Sequence, residues 1–267
     1  MIGYLIYDQI GADRNEWFIN EFIKTSKNYG VELILKIIKK VEDIYNSPLP
    51  DFAIIRTINP KINNYFESKG VQTFNNFETS KIANDKFATY TLCKELNIPV
   101  MKTSLLSAKA PDINYPFVIK SRDGHGGSEV FLINSEKDLN NKLAHVNKDN
   151  FIAQEFCSNP GVDMRVYVLG DKIVLSAVRK SHTDFRSNFS LGGSVSVGKV
   201  EPYQIEVINK LRRALNFDLV GVDFIYHNGK WVLNEIEDVV GTRMLYKLTD
   251  INVVDLYLNY IIKKRKD

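Results

Sequence analysis

The 267-residue sequence predicts a mixed α/β and α+β protein: a small parallel α/β domain followed by two α+β subdomains. Three observations predict this class. Short apolar strands alternate with amphipathic helices through the first part of the chain. A glycine-rich turn joins two strands in the middle. In the last part, hairpins with clear turn signals flank one long amphipathic helix.

The first part covers residues 1–80. "IGYLIY" is an apolar strand, and "NEWFINEFIKTSKNYG" follows at helical period, with Trp17, Phe18, Phe22 and Ile23 toward one face and Gly30 as C-cap. "VELILKII" and "DFAIIR" are further strands. "NPKINNYFESKG" is a helix with Pro60 in its first turn and Gly70 at its end, and "VQTFN" closes the unit. Strand and helix in alternation imply a parallel sheet. The second part, residues 81–154, opens with a helix over Lys86 to Leu96, ended by "NIP". "YPFVIKSRDGHGGSEVFLIN" is strand, turn and strand. "SEKDLNNKLAHV" is a helix with Ser135 as N-cap, and "NFIAQEF" is a strand. The third part, residues 155–267, holds the hairpin "DMRVYVLGDKIVLSAVRKS" and the polar loop "FRSNFSLGGSVS". A helix, "PYQIEVINKLRRALN", follows with Ile205, Ile208, Leu211 and Leu215 along one stripe. A second hairpin, "GVDFIYHNGKWVLNEIE", and a terminal helix complete the chain.

Composition excludes several classes. Hydrophobic residues make up 44% and charged residues 25%, as in an ordinary globular protein. A net charge of +3 is too small to imply nucleic-acid or membrane binding, and the "KKRKD" tail complements a helix C-terminus. Cys93 and Cys157 form neither a disulfide framework nor a metal spacing, so free thiols in the cytoplasm are expected. "MIGYLIYDQIG" lacks a signal peptide's basic n-region, and no apolar run is long enough to span a bilayer.

Three features carry chemistry. In "IKSRDGHGGSEV", Lys120 ends a strand, and Gly124, Gly126 and Gly127 let backbone N–H groups approach an anion. This is not a P-loop, since no Gly-Lys-Ser/Thr or helix follows. The final hairpin carries Asp223, Glu235 and Glu237. The two glutamates share a face, being two residues apart on a strand. Asp223 and Glu235 are twelve positions apart, so they pair directly across an odd-numbered loop or a turn with a bulge. A plain two-residue Asn228-Gly229 turn would put them on opposite faces. Converging, the three offer hard oxygen ligands suited to Mg²⁺; apart, they are a solvated edge paired with basic residues. Lastly, Arg165, Arg179, Lys180 and Arg186, with Asn188, form a cationic segment able to neutralise a transferred phosphoryl group or to pair with acids.

Taken in order, "DKFATYTLCKELNIPVMKT", "PFVIKSRDGHGGSEV", "IAQEF", "GVDMRVYVLGDKIV", "DFRSNFSLGGS", "GVDFIY" and "NEIEDVVG" resemble the ATP-grasp superfamily, and within it the RimK-like carboxylate–amine ligases. The resemblance covers nearly the whole chain. It implies an ATP-grasp fold in which two α+β halves clasp ATP. Lys86 and Lys120 would be the nucleotide lysines, and "DGHGG" the loop over the phosphates. Gln154, Glu155 and Phe156 would lie beside adenine, and Asp163 would meet the ribose. Asp223, Glu235 and Glu237 would hold Mg²⁺, with Arg186 and Asn188 facing substrate and phosphate. Arg56 stands where the front domain could meet a substrate carboxylate. One departure is plain: Glu237 and Val240 replace the Asn and Pro of the family's usual ending.

The resemblance implies an ADP-forming ligase that activates a carboxylate as an acyl phosphate and joins it to an amine. The substrate would be a small molecule, an amino acid or a peptide, with neither nucleic acid nor membrane as partner. The oligomeric state is left open, a homodimer included. The alternative is a non-catalytic ATP-binding module, against which the retained metal acids argue.

Overall fold

The computed structural model describes residues 1–106, 111–124, 129–181, 184–186 and 193–266. Strands β1 (Ile2–Tyr7), β2 (Glu32–Ile37), β3 (Phe52–Ile55) and β4 (Gln72–Phe74) form a parallel sheet in the order β2-β1-β3-β4. The helical stretch after β1 is two helices, α1 (Gln9–Arg14) and α2 (Glu16–Ser26), broken at Asn15. The sequence reading missed α1, whose N-terminus is capped by Asp8 accepting from the Gly11 N–H at 2.6 Å. On α2, Phe18, Ile19 and Phe22 are buried, whereas Trp17, expected on the same face, is 61% exposed. Helix α3 (Pro60–Ser68) begins with Pro60, and Gly70 beyond it takes φ +76°. Helix α4 (Phe77–Ala83), also unforeseen, is capped by Asn76.

Helix α5 (Lys86–Glu95) is capped by Asp85, which accepts from two backbone N–H groups. An antiparallel sheet follows in the order β5-β8-β6-β7, from β5 (Thr103–Leu105), β6 (Phe117–Ser121), β7 (Val130–Ile133) and β8 (Phe151–Glu155). Helix α6 (Glu136–Leu143) covers it, with Ser135 as its cap. Leu139 of α6 packs with Phe117, Ile119, Ile133 and Phe151 of the sheet.

The third sheet is antiparallel, in the order β11-β10-β9-β12-β13: β9 (Val162–Leu169), β10 (Lys172–Lys180), β11 (Ser194–Val197), β12 (Leu219–His227) and β13 (Lys230–Glu237). One face is largely apolar. Met164, Val166, Val220, Val222 and Phe224 pack there against Val207, Ile208, Leu211 and Leu215 of α7 (Pro202–Leu215). Ile205, expected in that stripe, is 42% exposed; Val207 takes its place. Cys93 of α5 and Ile98 join this same core, so α5 packs on the C-terminal sheet although sequence groups it with the middle segment.

The opposite face is divided. Its apolar end, with Tyr167, Leu169, Leu175 and Ala177, is covered by α8 (Arg243–Leu248) and α9 (Val253–Lys264). Helix α9 also packs on the front sheet through Tyr257, Leu258 and Ile261, in one core with Leu5, Phe52 and Phe74. The charged end of that face is left open and becomes the floor of a cavity.

Candidate active site

The register of the third sheet assembles that floor. Arg165 on β9 lies opposite Asp223 on β12, which lies opposite Glu235 on β13. Arg179 on β10 lies opposite Asp163, and Gly221 opposite Glu237. Directly opposed residues, and residues two apart, share a face, so all these side chains project the same way.

The hairpin resolves the parity question raised by its sequence. His227 pairs with Lys230 across a two-residue turn, and Asn228 and Gly229 both have positive φ, at 48° and 80°. A bulge between Asp223 and Phe224 then inserts Asn234 as an extra residue, bringing Glu235 opposite Asp223. Asn234 is a site residue that sequence reasoning missed. Its Oδ1 accepts from Lys120 Nζ at 3.2 Å. The only sequence signal for it was the even spacing of the acids, which a two-residue turn cannot satisfy alone.

The floor is a chain of alternating charges. Arg165 donates from Nε to Asp223 Oδ1 at 2.8 Å and from Nη2 to Asp223 Oδ2 at 2.7 Å, and its Nη2 also reaches Glu237 Oε1 at 2.5 Å. Arg179 donates to both oxygens of Asp163, at 2.6 and 2.5 Å, and to Asp223 Oδ2 at 2.7 Å. Gly221 makes room for this: a Cβ there would come 2.7 Å from Val240 and 3.4 Å from the Arg165 stem. Burial opposes ionisation of Asp223, but the two guanidiniums outweigh it and hold the carboxyl down at about 2. Glu237 goes the other way. Burial, with the charges of Asp223 and Glu235, outweighs Arg165 and pushes it up to about 7.

Above this floor is a cavity of about 470 Å³, reached by the middle sheet, the third sheet and the front segments. Lys86, the first residue of α5, lies 3.9 Å from Glu235 and donates to the Gly124 carbonyl. A Cβ on Gly124 would meet Glu129 and Ser121 at 2.9 Å, so a side chain there would force its neighbours to shift. Lys120, at the end of β6, is 5% exposed, and burial lowers its ammonium to about 8. Both lysines, Gly124, Gln154, Glu155, Phe156, Asp163, Arg186, Glu235 and Glu237 line the cavity. Gly126, Gly127 and Asn188 lie outside the described residues.

Several expected residues are engaged in ways the sequence did not show. Gln154 and Glu155 belong to β8, between β5 and β6, and the Glu155 N–H donates to the Lys102 carbonyl; Phe156 lies just beyond the ladder. Both Asp163 oxygens are on Arg179. Asp223, 1% exposed, lies beneath the arginines rather than in the cavity wall. Arg186 is held by Asp184, which accepts from its Nε at 3.0 Å and its Nη2 at 2.7 Å.

The acids also fit a hard divalent cation. Oxygen atoms from Asp223, Glu235 and Glu237 lie within 4.8 Å of one another. Glu235 and Glu237 present theirs to the cavity, while Asp223 retains one Oδ1 lone pair beside the guanidinium bonds. Among the described residues no helix is long and apolar enough to cross a membrane.

A cleft between two antiparallel sheets, behind a small parallel α/β domain, is the ATP-grasp fold. The structure aligns with D-alanine–D-alanine ligase from Bacillus anthracis in complex with ATP at a TM-score of 0.76, 18% identity, and 100% and 97% coverage of the two chains. The RimK-like ATP-grasp domain matches residues 83–261, and the chain belongs to that family. An uncharacterized protein of Mycoplasma genitalium is 29% identical over 98% of this chain and 93% of its own length. A probable alpha-L-glutamate ligase of Haemophilus ducreyi is 27% identical over 83% of this chain and 76% of its own.

Proposed function

We propose that the protein is an ATP-dependent, ADP-forming ligase joining a substrate carboxylate to the amine of an amino acid or peptide. The observation that carries this reading is the meeting, in one cavity, of two lysines suited to phosphates with carboxylates suited to a divalent cation.

Lys86 and Lys120 bind the phosphate oxygens as point charges. Phe156, beyond the β8 ladder, contributes to the adenine end, where Phe185 stands 6.0 Å away edge to face. Glu235 and Glu237, with Asp223, would hold Mg²⁺, which when bound offsets charge on the phosphate oxygens. The substrate carboxylate attacks the γ-phosphorus; the bond to the β-phosphate oxygen breaks, and ADP leaves. The amine then attacks the acyl carbon, phosphate departs with the former C–O bond's electron pair, and the proton lost by the amine passes to that phosphate. Lys120 and Arg186 stabilise the oxygens that gain charge in both steps. No enzyme nucleophile is needed. The Haemophilus ducreyi relative's name supports glutamate as the first amine to test.

ADP release in the presence of Mg²⁺, scanned against amino-acid and peptide pools, tests this function. Release that depends on both a carboxylate and an amine supports a ligase. ATP binding with no ADP release from any pool would leave only a non-catalytic ATP-binding module.

A further inference from the structure

Arg56, which follows β3, is a buried cation with no ion pair among the described residues. It is 7% exposed and lines the cavity. Its Nη2 donates to the Val240 carbonyl at 2.8 Å, its guanidinium stands 5.6 Å from the Phe18 ring, and its Nε has no partner. Among the described residues no carboxylate forms an ion pair with it. Asp238, an acid that feels its charge, spends its oxygens on Asn75 at 2.7 Å and Asn84 at 3.2 Å. Buried charges in folded proteins are normally paired, so a guanidinium left this way at a cavity wall calls for an anion from outside the chain.

The surroundings point the same way. The front segments bring Arg14, Trp17, Phe18 and Arg56 to the cavity, and residues 241–246 bring Arg243 and Tyr246; neither contributes an acid. The cavity's acids all come from the middle and C-terminal sheets. Arg243 Nη2 donates to the Arg14 carbonyl at 3.3 Å, tying the two segments together. Trp17, exposed on α2, meets Tyr246 edge to face at 5.1 Å and makes an aromatic wall beside the cations.

Resting on the ligase reading above, we propose that Arg56 is the anchor of a second anion subsite, one that takes a substrate carboxylate other than the one activated. A carboxylate held on a buried guanidinium has its lone pairs committed to N–H donors, which makes it a poor nucleophile toward phosphorus and a good handle. The ligand is either the spare carboxylate of a dicarboxylic acid or the carboxylate of an amino-acid or peptide amine. In both cases its chain lies against Trp17 and Tyr246.

Calorimetric titration of the full-length protein, saturated with Mg²⁺ and a non-hydrolysable ATP analogue, tests this. The probes are glutarate, L-alanine, L-glutamate and L-alaninamide. Arg56→Leu is expected to weaken binding of the carboxylate probes by about 10- to 100-fold, with the analogue's affinity unchanged. Arg56→Lys should recover part of the loss. The carboxylate probes should raise the melting temperature of the wild type and not of Arg56→Leu. Loss confined to glutarate and glutamate assigns the spare carboxylate of a diacid; loss for alanine as well assigns the amine substrate. Arg243→Ala, at an exposed position, gives a second reading and should weaken the same probes about threefold without altering the melting temperature. The subsite is overturned if the carboxylate probes bind Arg56→Leu as they bind the wild type, or if no carboxylate probe binds at millimolar concentration; L-alaninamide binding as well as L-alanine overturns the amine-substrate assignment and leaves the diacid. Failure of the ATP analogue to bind would sink the ligase reading instead; the carboxylate titrations are then decided on the nucleotide-free protein.

Discussion

Replacing Lys120 with methionine should stabilise the nucleotide-free protein while weakening its hold on ATP. The Lys120 ammonium is 5% exposed, and its one side-chain partner among the described residues is Asn234 Oδ1 at 3.2 Å. Burial lowers it from its ordinary 10.5 to about 8, despite the opposing pull of Glu235. That difference corresponds to about 3 kcal/mol against the charged form in the fold. Because the folded value lies below the unfolded one, the cost is present in full below about pH 8 and disappears as pH rises toward the unfolded value. Methionine keeps the stem's packing and removes the charge. Losing the Asn234 contact returns about 1 kcal/mol, leaving a net gain of about 2 kcal/mol near neutral pH. For a chain of this length that is a rise of about 4–8 °C in melting temperature. The gain over wild type should shrink between about pH 8 and pH 10.5, where wild-type Lys120 loses its proton in the fold. Thermal melts at several pH values measure both effects, and ATP titration measures the lost affinity. A Lys120→Met protein that melts at or below the wild-type temperature at neutral pH refutes the idea that the fold holds this ammonium at a cost.

Glu235→Gln should lose nearly all ADP formation, whereas Glu237→Asn, which keeps an oxygen donor, should retain measurable turnover with an altered Mg²⁺ requirement; titrating ADP release against Mg²⁺ separates them, and equal inactivity at saturating Mg²⁺ would remove Glu237 from the metal role. Arg165→Met should cost about 3 kcal/mol in denaturant unfolding, since it removes two hydrogen bonds from the buried Asp223 carboxylate and leaves it only the one from Arg179. The Asp223 share of that cost is present above the usual carboxylate range and lost as pH falls toward about 2, because the folded value is depressed; a melt unchanged from wild type would show that Arg165 contributes nothing net. Asn234→Ala should lower ATP affinity several-fold by releasing Lys120, and an affinity equal to wild type would mean that the bulge only sets register.

The long, periodic elements and the apolar strands were legible in the sequence, and several short elements were not. Helices α5, α6 and α7 carry their own caps and stripes, and local chemistry specifies them. Strands β5 and β11 and helices α1, α4 and α8 are too short for a period to register, and β5 and β11 exist because neighbouring strands offer them hydrogen bonds. Trp17 shows the limit of a helical wheel: its position matches the buried face, yet α2 turns it toward the cavity wall and Tyr246. In the candidate site, the residue types were legible but their pairing was not. The acids and arginines were visible as separate groups. That Arg165 and Arg179 both lie on Asp223 depends on strand order, which no local pattern encodes. Asn234 was hidden for the same reason, since a bulge is a property of two strands together.

The packing of α9 between the front sheet and the C-terminal sheet sets an order of assembly. During synthesis the front strands emerge first, but the face bearing Leu5, Phe52 and Phe74 has only part of its cover, from Phe18, Ile19 and Phe22 of α2, until residues 253–264 arrive. Tyr257, Leu258 and Ile261 then pack on both that face and the apolar end of the C-terminal sheet, across the junction where Arg56 donates to Val240. A ribosome-bound chain lacking those residues therefore carries its lysines and carboxylates without the helix that joins the front sheet to the C-terminal sheet.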